Sequence, residues 1–193
     1  MAATATAAAP SKRLIAIITG ASSGIGAATA EFFAKKGYIL SLSGRNEKAL
    51  EATAAKCATA GMSRDSVLTT PGDVTEEKVA TALVNRTIEK FGLINALVNA
   101  AGIIINGKVA DCTMADYDRQ MNVNLRSIVQ LTQKAIPHLI KSKGSIVNVS
   151  SINGICPFSG LAFYCMSKAA LDQFTKCLAV ELGPEGVRVN SVK

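Results

Sequence analysis

The chain has 193 residues, 49% of them hydrophobic and 18% charged, with a formal net charge of +7 and no tryptophan. That length suits one domain with a sizeable core, and the apolar content excludes intrinsic disorder. The basic residues are scattered rather than interleaved with aromatics, which argues against nucleic-acid binding and for solubility and an anionic small molecule.

No apolar run approaches the roughly 20 residues that span a bilayer, so no membrane partner is expected. Five cysteines, at 57, 112, 156, 165 and 177, form no Cys-x-x-Cys pair. Their odd number excludes a fully paired disulfide scaffold, and their spacing a zinc ribbon. Free thiols suit a reducing compartment, here read as the cytoplasm.

In chain order, residues 1–11 are Ala/Thr-rich and lack a secretory signal's charged start and apolar block, so they read as a disordered tail ahead of a single domain at 12–193. Residues 14–19 form an apolar strand. Ile25, Ala28, Thr29, Phe32 and Phe33 then repeat at helical spacing until Gly37. Residues 38–43 read as a second strand, and 46–60 as a helix capped by Asn46. A weaker third strand covers 66–70, and a helix follows over about 75–91. Residues 93–98 are a fully apolar strand. Leu125, Ile128, Val129, Thr132 and Ile136 mark an amphipathic helix that Pro137 is expected to kink. Strands at 145–150 and 187–192 bracket a helical stripe of Leu171, Phe174, Leu178 and Leu182. Apolar strands alternating with helices predict an α/β fold, a parallel sheet covered on both faces.

Between the first strand and helix lies Thr19-Gly20-Ala21-Ser22-Ser23-Gly24-Ile25-Gly26. Glycines allow a sharp turn and close backbone approach, and the unpaired N–H groups of the helix start suit a pyrophosphate. The spacing is neither the G-x-G-x-x-G dinucleotide fingerprint nor a nucleoside-triphosphate loop. Further on, Tyr164 and Lys168 are one helical turn apart and share a face. A free phenol titrates near about 10, and an adjacent ammonium favours its phenolate. Ser151 closes an apolar strand, where open α/β sheets bind ligands.

Together these motifs resemble the short-chain dehydrogenases/reductases, most of all their 3-oxoacyl-carrier-protein-reductase-like branch. The resemblance covers residues 12–193 and includes Asp73-Val74, Asn99-Ala100-Ala101-Gly102, Asn124, Ser151 and Tyr164-x-x-x-Lys168. It implies a Rossmann-type doubly wound sheet of order 3-2-1-4-5-6, with the family's final strand missing. It also implies hydride transfer between a nicotinamide dinucleotide and a carbonyl or secondary alcohol. Asn124, Ser151, Tyr164 and Lys168 are then the catalytic set, with Ser151 and Tyr164 on the substrate and Asn124 holding a water that links Lys168 to solvent.

Cofactor contacts are expected from Gly20, Ser22, Ser23, Gly24, Ile25, Gly26, Arg45, Asp73, Val74, Asn99, Gly102, Tyr164 and Lys168. The second strand ends without the carboxylate that would hold an adenosine ribose 2′-OH. It ends instead in Arg45, which either forks onto a 2′-phosphate or is simply solvated, so NADP(H) is preferred over NAD(H). Asp73 either contacts adenine or caps a helix. Ala100 replaces the family's second asparagine. No metal is expected, and His138 reads as a helix-surface residue. Cys156 and Cys165 either line the substrate space or are buried small hydrophobes.

Relatives continue past residue 193 with segments that cover the substrate. Weakened activity, or a role as a cofactor-binding interaction protein, is therefore the alternative expectation. A homo-oligomer pairing the helices at 125–140 and 161–182 is expected.

Overall fold

The computed structural model describes residues 13–60 and 62–193; the expected tail at 1–11 lies outside them. Six strands form one all-parallel sheet: β1 (Ile15–Ile18), β2 (Ile39–Gly44), β3 (Val67–Pro71), β4 (Ala96–Asn99), β5 (Ser145–Val149) and β6 (Arg188–Val192). Their order is β3-β2-β1-β4-β5-β6, as the sequence led us to expect. Register is fixed by pairs such as Ile17 with Leu97 and Asn99 with Asn148. β1 is flanked by β2 and β4, so the chain reverses its direction of travel there. The carboxyl ends of these strands therefore open into a crevice.

Helices α1 (Gly24–Lys35) and α2 (Glu47–Thr59) cover one face, burying Ala30, Ala34, Leu50 and Ala54 against Ala16, Ile18, Leu40 and Leu42. On the other face lie α3 (Glu77–Phe91), α5 (Ser127–Ser142) and α6 (Ala162–Leu182). Leu83, Leu131, Leu139 and Leu178 pack there on Ile17, Leu97 and Ile146. The central strands β1 and β4 bury apolar side chains on both faces, Ala16, Ile18, Ala96 and Val98 on one and Ile17 and Leu97 on the other, which is why they read as unbroken apolar runs.

Asn46 caps α2 as expected, accepting from the Ala49 N–H at 3.0 Å. Local detail sharpens in places. α3 starts at Glu77, with Asp73 holding Thr75 outside the helix. α5 contains Pro137 and runs on to Ser142. An unforeseen helix, α4 (Met114–Met121), precedes α5, its start fixed by reciprocal Thr113–Asp116 hydrogen bonds. A π-turn at Asn122–Arg126 joins α4 to α5.

A polar seam crosses the apolar sheet. The Asn99 side chain donates to Asn148 Oδ1 at 2.8 Å and to the Thr132 hydroxyl at 3.4 Å, and Asn148 donates to the Thr175 hydroxyl at 2.9 Å. Asn99, Thr132 and Asn148 are 0–1% exposed. Asn148→Ala strands buried partners on both sides, which costs about 2–3 kcal/mol. Urea denaturation checks this: the midpoint should fall with an unchanged slope.

Candidate active site

The turn after β1 folds as it does because two of its glycines have no room for a side chain. Gly20 has φ +66°, and a Cβ there would lie 2.9 Å from the Ala100 carbonyl carbon. A Cβ on Gly26 would strike the backbone of Gly20, 2.6 Å from its carbonyl carbon. The turn thus lies directly on the segment that leaves β4. The Thr19 hydroxyl fastens it there, accepting from the N–H groups of Ala100 (3.1 Å) and Ala101 (3.2 Å).

Here the crevice deepens into a cleft of about 280 Å³. Gly20, Ser22, Ser23, Gly24, Ile25, Gly26, Arg45, Asp73, Val74 and Gly102 all line it. Ser23 stands at the N-cap of α1 without capping it, and the first turn carries no acidic residue. The helix start therefore offers unpaired N–H groups and the positive end of its dipole to the cleft. The shape and polarity fit a dinucleotide, with its pyrophosphate on this turn.

Arg45 is exposed and makes no ion pair among the described residues. A Cβ on neighbouring Gly44 would meet the Ser22 hydroxyl at 2.9 Å, so Ser22 stands beside it. Asp73 lines the cleft but does not cap α3, whose N-cap is Glu76; its Oδ1 accepts from the Thr75 N–H (3.0 Å) and hydroxyl (2.8 Å). Asn99 does not reach the cleft; it belongs to the polar seam beneath.

The proton-transfer candidates lie beyond Gly102. Lys168 Nζ is 5.7 Å from the centre of the Tyr164 ring and donates to the Val149 carbonyl at 2.8 Å. Lys168 is only 4% exposed. Burial lowers its pKa from 10.5 to about 8, against the opposing pull of Asp172 one turn further on. Burial also works against the Asp172 carboxylate. The Lys193 ammonium, 2.9 Å from Oδ2, and the Ser150 and Ser191 hydroxyls outweigh it and hold Asp172 below the usual carboxylate range.

Asn124 sits in the π-turn, fully buried. It accepts from the Ile103 N–H at 2.8 Å and donates to the Ile103 carbonyl (2.9 Å) and the Ser167 hydroxyl (3.1 Å). Both side-chain N–H groups are therefore engaged, leaving one acceptor lone pair on Oδ1. The position a Cβ would take on Gly102 is 3.4 Å from that oxygen and 3.7 Å from Lys168 Nζ, so the two groups face the same small space.

Ser151 is held differently. Its hydroxyl donates to Asn153 Oδ1 at 3.0 Å and accepts from the Asn153 N–H at 3.2 Å. Asn153 in turn donates to Cys165 Sγ at 3.8 Å, tying the Ser151 turn to the residue after Tyr164. Cys156 is exposed and Cys165 half-buried, so the reading of both as buried hydrophobes gives way. Among the described residues no cluster of His, Cys, Asp or Glu is arranged for a metal. No described helix is long and apolar enough to cross a membrane.

Three supporting residues escaped the sequence reading. Gln120, one turn before Asn124, accepts from the Ile105 N–H at 2.6 Å. Asn148 and Asn153 act as described above. Only the Thr113-x-x-Asp116 capping pattern advertised the helix that carries Gln120.

Comparison with known proteins is consistent across the chain. Residues 14–193 match the family model for short chain dehydrogenases. The meso-2,3-butanediol dehydrogenase of Serratia marcescens is 33% identical over 178 residues, 92% of this chain and 69% of that protein. A Caenorhabditis elegans short-chain dehydrogenase/reductase of unknown function, crystallised with cofactor, superimposes with a TM-score of 0.90 at 38% identity, over 93% of this chain and 68% of the other. The apo-form glucose dehydrogenase of the same organism gives 0.85 at 41% identity, covering 92% and 72%.

Proposed function

The chain belongs to the short-chain dehydrogenase/reductase family and is one of its oxidoreductases. On that premise we propose that it transfers hydride between NADP(H), in preference to NAD(H), and a carbonyl or secondary alcohol, with Tyr164 as proton donor and acceptor. The observation that carries this reading is the buried Lys168 ammonium beside the Tyr164 ring, adjacent to Gly102 of a cleft built like a pyrophosphate cradle.

The nicotinamide, when bound, supplies or takes the hydride. The protein's own residues do the rest. The N–H groups at the start of α1 receive the pyrophosphate, and Arg45 with Ser22 receives the 2′-phosphate. Tyr164, with the Lys168 ammonium beside its ring, exchanges a proton with the substrate oxygen. Ser151 exchanges its Asn153 partner for that oxygen as charge builds on it. Asn124 fixes the floor through Ile103, and its free lone pair faces Lys168 across the space beside Gly102. A water held there would relay protons to Lys168.

The same reading places the enzyme in the cytoplasm as a homo-oligomer.

The test is carbonyl-dependent loss of NADPH absorbance. Tyr164→Phe should lower it by about a hundredfold or more while leaving NADPH binding intact. Full turnover in that variant would overturn the assignment of Tyr164. Binding of NADPH without turnover of any carbonyl would favour an interaction protein. Arg45→Ala tests the cofactor choice: NADPH affinity should fall by about ten- to a hundredfold, as for a lost charge-assisted hydrogen bond, with NADH affinity unchanged in fluorescence titrations.

A further inference from the structure

Resting on the reading of Tyr164 and Ser151 as the place where the carbonyl sits, we infer that the substrate is a ketone, or its alcohol, with uncharged apolar substituents, and that Ile104 and Ile155 select it. Residues 100–107 and 151–167 contain no Asp, Glu, Lys, Arg or His, although 18% of the chain is charged. These two stretches frame the site, one from the β4 end and one from the β5 end into α6. They also present apolar side chains outward: Ile104 is 52% exposed, Ile155 65% and Phe158 51%.

The alternation of exposure places Ile104 on the side of the site. From Ala101 to Lys108 burial alternates residue by residue, with Gly102, Ile104 and Asn106 on the outer side. In an extended segment, alternate residues share a side. The β position of Gly102 lies 3.7 Å from Lys168 Nζ. Ile104 therefore faces the side that holds Lys168. Asn124 grips Ile103 and Gln120 grips Ile105, which keeps that orientation from rotating away.

Ile155 stands exposed on the other loop, beside the turn that carries Tyr164. Asn153 Nδ2 and the Cys156 carbonyl both touch Cys165 Sγ, at 3.8 and 4.0 Å. Ile155 thus lies between two residues tied to the helical turn that carries Tyr164. The Gly107 N–H donates to the Gly160 carbonyl at 2.9 Å, joining the two loops into one rim. The charged Lys108 and Asp111 lie beyond that joint, and Lys168 is already bound to the Val149 carbonyl. A charged substituent against this rim would lose water and gain no opposite charge, and a polyhydroxylated one would find only the few amides and hydroxyls of Asn106, Asn153 and Ser159.

The test offers the NADPH-loaded protein acetophenone, acetylbenzoate and erythrulose, following binding by saturation-transfer NMR and turnover by absorbance. Acetophenone should be favoured over each of the others by about tenfold or more, the scale on which apolar pockets discriminate. Ile104→Asp and Ile155→Asp should each weaken it by about tenfold with NADPH affinity unchanged. Ile104→Ala and Ile155→Ala repeat the test with smaller losses should the charged variants misfold.

If acetophenone binds selectively without being reduced, the substrate class stands and the oxidoreductase reading fails. If erythrulose or acetylbenzoate is reduced preferentially, the reverse holds. If no ketone binds, or the rim is protected only in a concentration-dependent dimer, the inference falls.

Discussion

Replacing Lys168 with methionine should make the protein more stable while removing nearly all of its turnover. The two effects share one cause. Keeping an ammonium charged at a site only 4% exposed lowers its pKa from 10.5 to about 8, which corresponds to about 3 kcal/mol of lost stability near pH 7. Methionine has similar length and no charge. It forfeits the hydrogen bond to the Val149 carbonyl, worth about 1 kcal/mol, so a net gain on the order of 2 kcal/mol is expected. Calorimetry should then show a melting temperature about 4–8 °C higher.

The sign follows from proton linkage. Below about pH 8 Lys168 is protonated in both folded and unfolded chains, and the full burial penalty applies. From about 8 to 10.5 the folded protein has released the proton and the unfolded chain has not, so wild-type stability rises with pH. The advantage of Lys168→Met should therefore shrink across that window. Carbonyl reduction by the wild type should fall as pH rises through about 8, and the variant should lose about a thousandfold in rate. A variant that melts lower than the wild type at pH 7 would refute the account of a strained buried charge.

Gly26→Val should abolish dinucleotide binding and destabilise the fold by about 2–4 kcal/mol. The added Cβ would press on the Gly20 carbonyl and stand 2.9 Å from the Thr19 oxygen. Both are backbone atoms, so no side chain can swing aside. The N-terminal turn of α1 would be pushed off the cleft floor. Gly24→Asn is the control: Gly24 also has positive φ (+53°), but nothing lies within 4 Å of its β position, and Asn tolerates that backbone region. Its cost should stay near about 1 kcal/mol, with binding retained. NADPH fluorescence titration and urea denaturation distinguish the two variants, and equal losses would show that crowding is not what fixes glycine at position 26.

Much of this was legible because the signals are local. The parallel sheet followed from apolar runs alternating with helical stripes, its strand order from the family resemblance, and the Gly20–Gly26 turn announced its place by chain position. The Asn46 cap was equally plain. What stayed hidden depends on contacts between distant segments. The sequence places Asn124 and Ser151 in the site but cannot show that Asn124 grips Ile103 or that Ser151 is tethered through Asn153. The helix Met114–Met121 escaped because its apolar stripe is short and the π-turn after it shifts the phase of the repeat, so periodicity emerged only from Leu125.

Thr19 governs how firmly this junction is held. Its single oxygen bridges two successive amides across the junction between the halves of the sheet. Valine would reproduce its outline atom for atom yet leave both amides unbonded. The lesion would escape any view of shape and surface in deuterium exchange, as paired acceleration at Ala100 and Ala101. One lone pair per amide thus decides whether the wall carrying Gly102 is fixed or breathes.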